Sequence, residues 1–180
     1  MLNPELLDRL RAQGWKPRQL GGFMGHAGPL WTCREGAGWV YGLLAEDQHL
    51  NPAGVVHGGA LTTLIDHVLS TVAWEACDRM PCVTVQLDTH FMAEVRAGQF
   101  AQARANITAR TSSLVFMEGL VQVDTADQGA ERRAERGDMQ GHVGGLSQCA
   151  WPCQGTSLRC RARRPSSRAK AIRAMTRMPR

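Results

Sequence analysis

The sequence predicts an α+β domain in which one long helix lies against an antiparallel sheet. Three observations point there. Between Gly59 and Ala76 the apolar residues recur at helical spacing over more than four turns. From Val83 to Val123 the spacing changes to two. The chain has 180 residues, of which 43% are hydrophobic and 21% charged, enough for one globular domain with a real core.

Taken in order, the chain opens on a short helix. Asn3 suits the N-cap, Pro4 the first helical position and Gly14 the stop, with Leu6, Leu7 and Leu10 as its apolar stripe. Gly21 to Gly28 is glycine-rich and reads as loop. Leu30–Cys33 and Trp39–Leu44 read as short strands joined by the turn Glu35-Gly36-Ala37-Gly38. In the long helix, Leu61, Leu64, Ile65, Val68, Leu69, Val72, Ala73 and Ala76 form one broad apolar face. Thr62, Thr63, Asp66 and Ser70 run beside it as a polar stripe. Val83, Val85, Leu87, Thr89 and Phe91 then alternate with Thr84, Gln86, Asp88 and His90. Ala101 to Arg110 alternates in the same way, and the turn Thr111-Ser112-Ser113 leads into Leu114–Val123.

Charge divides the chain. Residues 1–123 hold nine Lys and Arg against eleven Asp and Glu, while residues 124–180 hold twelve against five. The basic character belongs to the tail, so it does not make the whole protein a nucleic-acid binder. No run approaches the length of about 18 apolar residues that spans a membrane. The N-terminus lacks a basic segment followed by an apolar one, so the cytoplasm is the expected compartment. The six cysteines include no CxxC pair and are expected as reduced thiols. No metal is expected. His26, His49, His67 and His90 lack ligand spacing, and His142, Cys149, Cys153 and Cys160 match no common zinc module.

The chemistry concentrates between residues 51 and 66. His57-Gly58-Gly59 immediately precedes the long helix, where backbone N–H groups are unpaired and the helix dipole is positive. Glycines let a ligand approach that backbone, and a carbonyl oxygen placed there would be polarised. Asp66 sits deep in the helix, an unfavourable place for Asp unless it is solvated or serves as a base or nucleophile. Asn51 lies in a loop with Pro52 and Gly54, and Thr84 is second in its strand. Read singly, these residues have plain structural explanations: a turn, a solvated carboxylate, a strand threonine.

Jointly they do not. Asn51 to Asp66, NPAGVVHGGALTTLID, resembles the hotdog thioesterases of the phenylacetate-pathway type, as do VTVQLDTHFM, similar to that family's central strand, and the hairpin around RTSSLVF. The resemblance covers roughly residues 35–123. It implies a hotdog fold, hydrolysis of an acyl-CoA thioester without a cofactor, and a homodimer or homotetramer whose sheets join edge to edge. By the same resemblance the Gly58 N–H polarises the thioester carbonyl. Asp66 of the other subunit attacks or activates water, Asn51 and Thr84 hold the water or reacting group, and His57 orders the loop. Gly59, Phe91 and Met92 would meet the substrate, and Arg110, Ser112 and Ser113 the CoA phosphates. A thiolate leaves readily, so an oxyanion donor and a base suffice.

The extent of the resemblance and the loss of periodicity past Val123 divide the chain into three segments: 1–34, an N-terminal helix and loop; 35–123, the hotdog domain; and 124–180, an Arg-rich tail read as disordered or out of frame. Past Val123 no apolar alternation is visible, although the family places one more strand inside the sheet. The abrupt change in charge and periodicity gives the expectation that the coding frame shifts near residue 124, leaving a disrupted, inactive chain as one alternative. Others are an acyl-CoA-binding hotdog protein without hydrolysis, and a tail that binds nucleic acid through Arg161, Arg163, Arg164 and Arg168.

Overall fold

The structure, a computed structural model, describes residues 3–123 and the backbone of residues 142–150. The elements are α1 (Pro4–Ala12), β1 (Lys16–Arg18), α2 (Phe23–His26), β2 (Leu30–Glu35), β3 (Gly38–Leu44), α3 (Gly58–Ala76), β4 (Val83–Phe91), β5 (Phe100–Arg110), β6 (Leu114–Val123) and β7 (His142–Ala150). A 3-10 turn at Asp47–His49 precedes the α3 loop. The strands form one antiparallel sheet in the order β1-β2-β3-β5-β6-β7-β4. The α+β reading is therefore realised as a hotdog, a long helix wrapped by a sheet.

The wrapping follows from the apolar face of α3. Leu61, Leu64, Ile65, Val68, Leu69 and Ala73 are buried against Leu43, Ala101, Ala103, Val115, Met117 and Val121. Small residues let the sheet come close. At Gly119 a Cβ would stand 2.5 Å from Ile65 Cδ1, so β6 passes the helix where only glycine fits. The opposite sheet face carries a second core, in which Leu6 and Leu10 of α1 meet Trp15, Trp31, Val40, Leu44 and Phe100. The Phe100 ring lies edge-on to Trp15 and Trp31, with centroids 4.8 and 6.0 Å away. It covers Gly42 so closely that a Cβ there would lie 2.3 Å from the ring.

Asn3 caps α1 by accepting from the Glu5 N–H at 3.0 Å, and Gly14 follows the helix at φ +88°. β2 runs across the segment boundary expected at residue 34, and β1 and β2 belong to the common sheet. The stretch read as loop over Gly21–Gly28 contains the single turn α2. Its glycines hide the turn from a propensity reading, yet a Cβ at Gly25 would stand 2.7 Å from the Leu20 carbonyl oxygen.

β4 departs from strict alternation. Its register against β7 shifts between Thr84 and Gln86, leaving Val85 as the extra residue of a bulge. The side-chain parity reverses there. Thr84 before the bulge and Leu87 after it both face α3, whereas sequence alternation places them on opposite faces. Among the described residues β4 also lies at the edge of the single-chain sheet, whereas the resemblance is to a central strand.

The expectation that no strand follows Val123 is corrected. The backbone of His142–Ala150 forms β7, paired with β6 from Leu114↔Ala150 to Gln122↔His142 and with β4 from Val83↔Ala150 to Phe91↔Val143. Its sequence, HVGGLSQCA, has little strand propensity. What selects it is position, because both neighbours would otherwise present unpaired backbone groups. The reading of the tail as disordered is thereby corrected for His142–Ala150. The rest of the tail, the frame change near residue 124 and the side chains of the zinc set fall outside the described residues. Among the described residues no helix is long and apolar enough to cross a membrane.

Candidate active site

α3 begins at a loop whose hydrogen bonds are nearly all local. Asn51 Oδ1 accepts from Ala53 N–H at 2.9 Å and from Val55 N–H at 3.4 Å, and the Asn51 N–H donates to the Val55 carbonyl at 2.8 Å. Asn51 thus shapes the loop as an Asx turn. His57 is the N-cap. Its Nδ1 accepts from Gly59 N–H at 2.8 Å, and its carbonyl accepts from Ala60 N–H at 2.9 Å. Of the first three N–H groups of the helix, only that of Gly58 is left without a partner among the described residues. Capping by His57 therefore reduces the helix N-terminus to one open donor, and it takes the Gly59 N–H out of use. The Phe91 ring lies against Gly58, 3.1 Å from where a Cβ would be, so Phe91 stands beside that donor. Met92 follows it and is exposed.

Two turns further along α3 is the carboxylate. Asp66 is half-buried and lines an open cleft of about 300 Å³ together with Thr62, Thr63, His67, Ser70, Leu87 and the α2 pair Phe23 and Met24. Thr84 Oγ1 donates to Asp66 Oδ1 at 2.7 Å. Ser70 Oγ stands 3.3 Å from Thr84 Oγ1, and with the Thr84 proton committed to Asp66 it is Ser70 that donates. The β4 bulge makes this cluster possible, since without the parity switch Thr84 and Leu87 could not both face the helix. Next to Asp66, burial holds the His67 imidazole below its ordinary value of 6.5, partly offset by attraction to the Asp66 carboxylate. Burial thus favours neutral His67 in the cleft.

The expected site residues fall into three places. Asn51, His57, Gly58, Gly59, Phe91 and Met92 gather at the start of α3; Asp66 and Thr84 meet at its middle. Arg110, Ser112 and Ser113 lie at its far end, where the Arg110 guanidinium donates to the Ala76 carbonyl at 2.7 Å and Thr111 closes the hairpin turn. At 1.5 Å per residue, Gly58 and Asp66 are about 12 Å apart along the helix, and Gly58 and Ala76 about 27 Å. Within one chain the open donor and the carboxylate cannot hold the same carbonyl. Sequence reasoning missed Phe23, Met24 and His67 as cleft residues. The available signal was an apolar pair inside a glycine-rich stretch and a histidine adjoining the helical Asp.

With a helix wrapped by an antiparallel sheet, a capped glycine donor and a helical carboxylate, the chain has the architecture of the hotdog class. Residues 53–130 match the family model described as the thioesterase superfamily. It is 29% identical over 100 residues to acyl-coenzyme A thioesterase 13 of Mus musculus, covering 55% of this chain and 68% of the relative. The Homo sapiens protein of that name is 27% identical over the same length and coverage. Among solved structures, zebra fish thioesterase superfamily member 2 superposes with a TM-score of 0.57 at 18% identity, covering 83% of this chain and 99% of the other. A phenylacetic acid degradation-related protein from Ralstonia eutropha gives 0.50 at 18% identity, covering 83% and 92%.

Proposed function

We propose that the protein hydrolyses acyl-CoA thioesters at a site shared between two copies of the chain. The observation that carries this reading is the division of labour along α3. One open N–H donor at Gly58 and one cleft-facing carboxylate at Asp66 sit about 12 Å apart, too far to serve one carbonyl from a single helix. A second copy in antiparallel arrangement brings the donor of one α3 to the carboxylate of the other. The edge position of β4, with Val83 and Val85 64% and 57% exposed, supplies the surface for that pairing and would make β4 central in a continuous sheet. A dimer is the smallest active unit; a tetramer would repeat it. The acyl-CoA thioesterase activity named for the curated relatives supports the same substrate class.

In this reading the thioester carbonyl oxygen accepts from Gly58 N–H, and the helix dipole stabilises the oxyanion that develops. Asp66, its Oδ1 fixed by Thr84, uses Oδ2 in one of two ways. As a base it takes a proton from water while the water oxygen bonds to the carbonyl carbon; the C–S bond breaks, and the proton passes to the departing CoA thiolate. As a nucleophile it bonds to that carbon directly and expels the thiolate, and water then cleaves the mixed anhydride. Asn51 shapes the loop that presents Gly58, and Phe91 and Met92 flank the thioester. Gly59 acts through its bond to His57, and the CoA phosphates are assigned to the turn at Arg110, Ser112 and Ser113.

The test is release of free thiol from a panel of acyl-CoAs. Wild type is expected to turn over, and Asp66→Ala to lose about 10²–10⁴-fold in kcat while keeping the oligomer. Near-normal turnover by that variant would remove Asp66 from the mechanism. Single turnover in ¹⁸O-water reads the route: unlabelled product acid with label in the Asp66 carboxylate marks the nucleophilic route with water attacking the Asp66 carbonyl carbon of the anhydride, an outcome the general-base route cannot give.

A further inference from the structure

We infer that Met24 sets the length of acyl chain that the Asp66 cleft accepts, an inference that rests on the thioesterase reading above. Met24 lines two adjoining spaces. One is the open cleft beside Asp66. The other is a void of about 10 Å³ behind it, walled by Ala27, Gly28, Leu30, Leu43, Ala60 and Leu64. That void has room for no more than one water, and its lining is apolar. Thr63 borders both spaces, but its hydroxyl is occupied by the Gly59 carbonyl at 2.8 Å. The flexible thioether of Met24 is therefore the partition between a cleft that reaches the carboxylate and a small apolar void behind it, whose usable space grows only when the Met24 side chain is shortened.

The partition is anchored rather than loose. His49 is buried, and its Nδ1 accepts from Glu46 N–H at 2.9 Å, which leaves the ring proton on Nε2. That Nε2–H donates to the Ala27 carbonyl at 2.8 Å. The His49 carbonyl in turn accepts from His57 N–H at 2.7 Å. One buried imidazole thus ties the end of α2 to the loop that presents Gly58. With Gly25 pressed on the Leu20 carbonyl, the backbone carrying Met24 has little freedom.

An acyl chain that starts at Asp66 and runs toward α2 meets an apolar wall of Leu87, Phe23 and Met24. Its length is limited where Met24 closes the way. While the chain lengthens within the cleft, each added methylene is expected to raise kcat/KM about fourfold, and the gain stops at the partition. Truncating Met24 joins the cleft to the void and moves the limit outward; enlarging it moves the limit inward.

The experiment measures kcat/KM of the full chain on saturated acyl-CoAs of graded length for wild type, Met24→Ala and Met24→Phe. The expected result is a preferred length shifted about two carbons longer in M24A and shorter in M24F, with short-chain substrates changed less than about threefold. Profiles that rise and fall together in all three proteins overturn the role of Met24 and leave the thioesterase reading standing. Absence of thiol release in wild type on every substrate overturns both. Because the two variants move the limit in opposite directions, a folding defect in one leaves the other to decide.

Discussion

Asp66 and Gly58 carry the proposed chemistry, and each can be probed without disturbing the other. Gly58 holds the first helical position, where proline is tolerated because its missing N–H has no helical partner. His57 has φ −61° and ψ 133°, a conformation compatible with a following proline. Gly58→Pro deletes the one open donor, and Gly58→Ala keeps it while adding the same Cβ beside Phe91. We expect kcat of G58P to fall about 10²–10³-fold below that of G58A, measured by thiol release; equal rates would move the oxyanion donor elsewhere. His67 predicts a pH effect. Its folded pKa lies below 6.5, so the stability it contributes is present above the unfolded value and is lost as pH falls through the folded one. Wild type should therefore lose Tm more steeply than His67→Gln between about pH 7 and 5. Parallel melting curves across that range would deny His67 this role.

Among the elements, β3 and β5 show how the second core is enforced. The Phe100 ring occupies the space a side chain at 42 would need, and Trp15 and Trp31 pack edge-on against it. Gly42→Ala is expected to destabilise by about 1–3 kcal/mol, read as a lowered urea midpoint with unchanged m-value. An unchanged midpoint would mean that the ring is free to move. The legibility of the elements followed their physics. α1 and α3 were readable because capping residues and 3.6-residue spacing are local signals. The pairing of Asp66 with Thr84 was not, because a bulge at Val85 rewrites the parity of β4 and the sequence marks bulges poorly. α2 was hidden by the glycines that allow its tight approach to Leu20. β7 was hidden because HVGGLSQCA has little propensity of its own and is recruited by the open edges of β4 and β6.

For the whole molecule, one consequence is that among the described residues β4 has no sheet partner other than β7. A chain ending at residue 123 would retain Asp66, Gly58 and the cores on both faces of the sheet, yet leave β4 with two bare edges. Such a truncation is expected to lose thiol release and sharp cooperative unfolding, by calorimetry, while keeping helical circular dichroism. Full activity in the truncated chain would show that β7 is dispensable. The exposed Val83 and Val85 on the β4 edge make self-association of that fragment the expected outcome in solution.

That arrangement also fixes an order of events during synthesis. α3 and its carboxylate are made first, and the strands that enclose them follow directly. Thr84, translated before any of β5 or β6, lies on a strand that gains its sheet partner only when β7 has emerged. The nascent chain therefore lacks the sheet that holds Thr84 beside Asp66 until near residue 150. The step that completes the site is the closing of a long-range contact, the slowest kind of event in building a sheet.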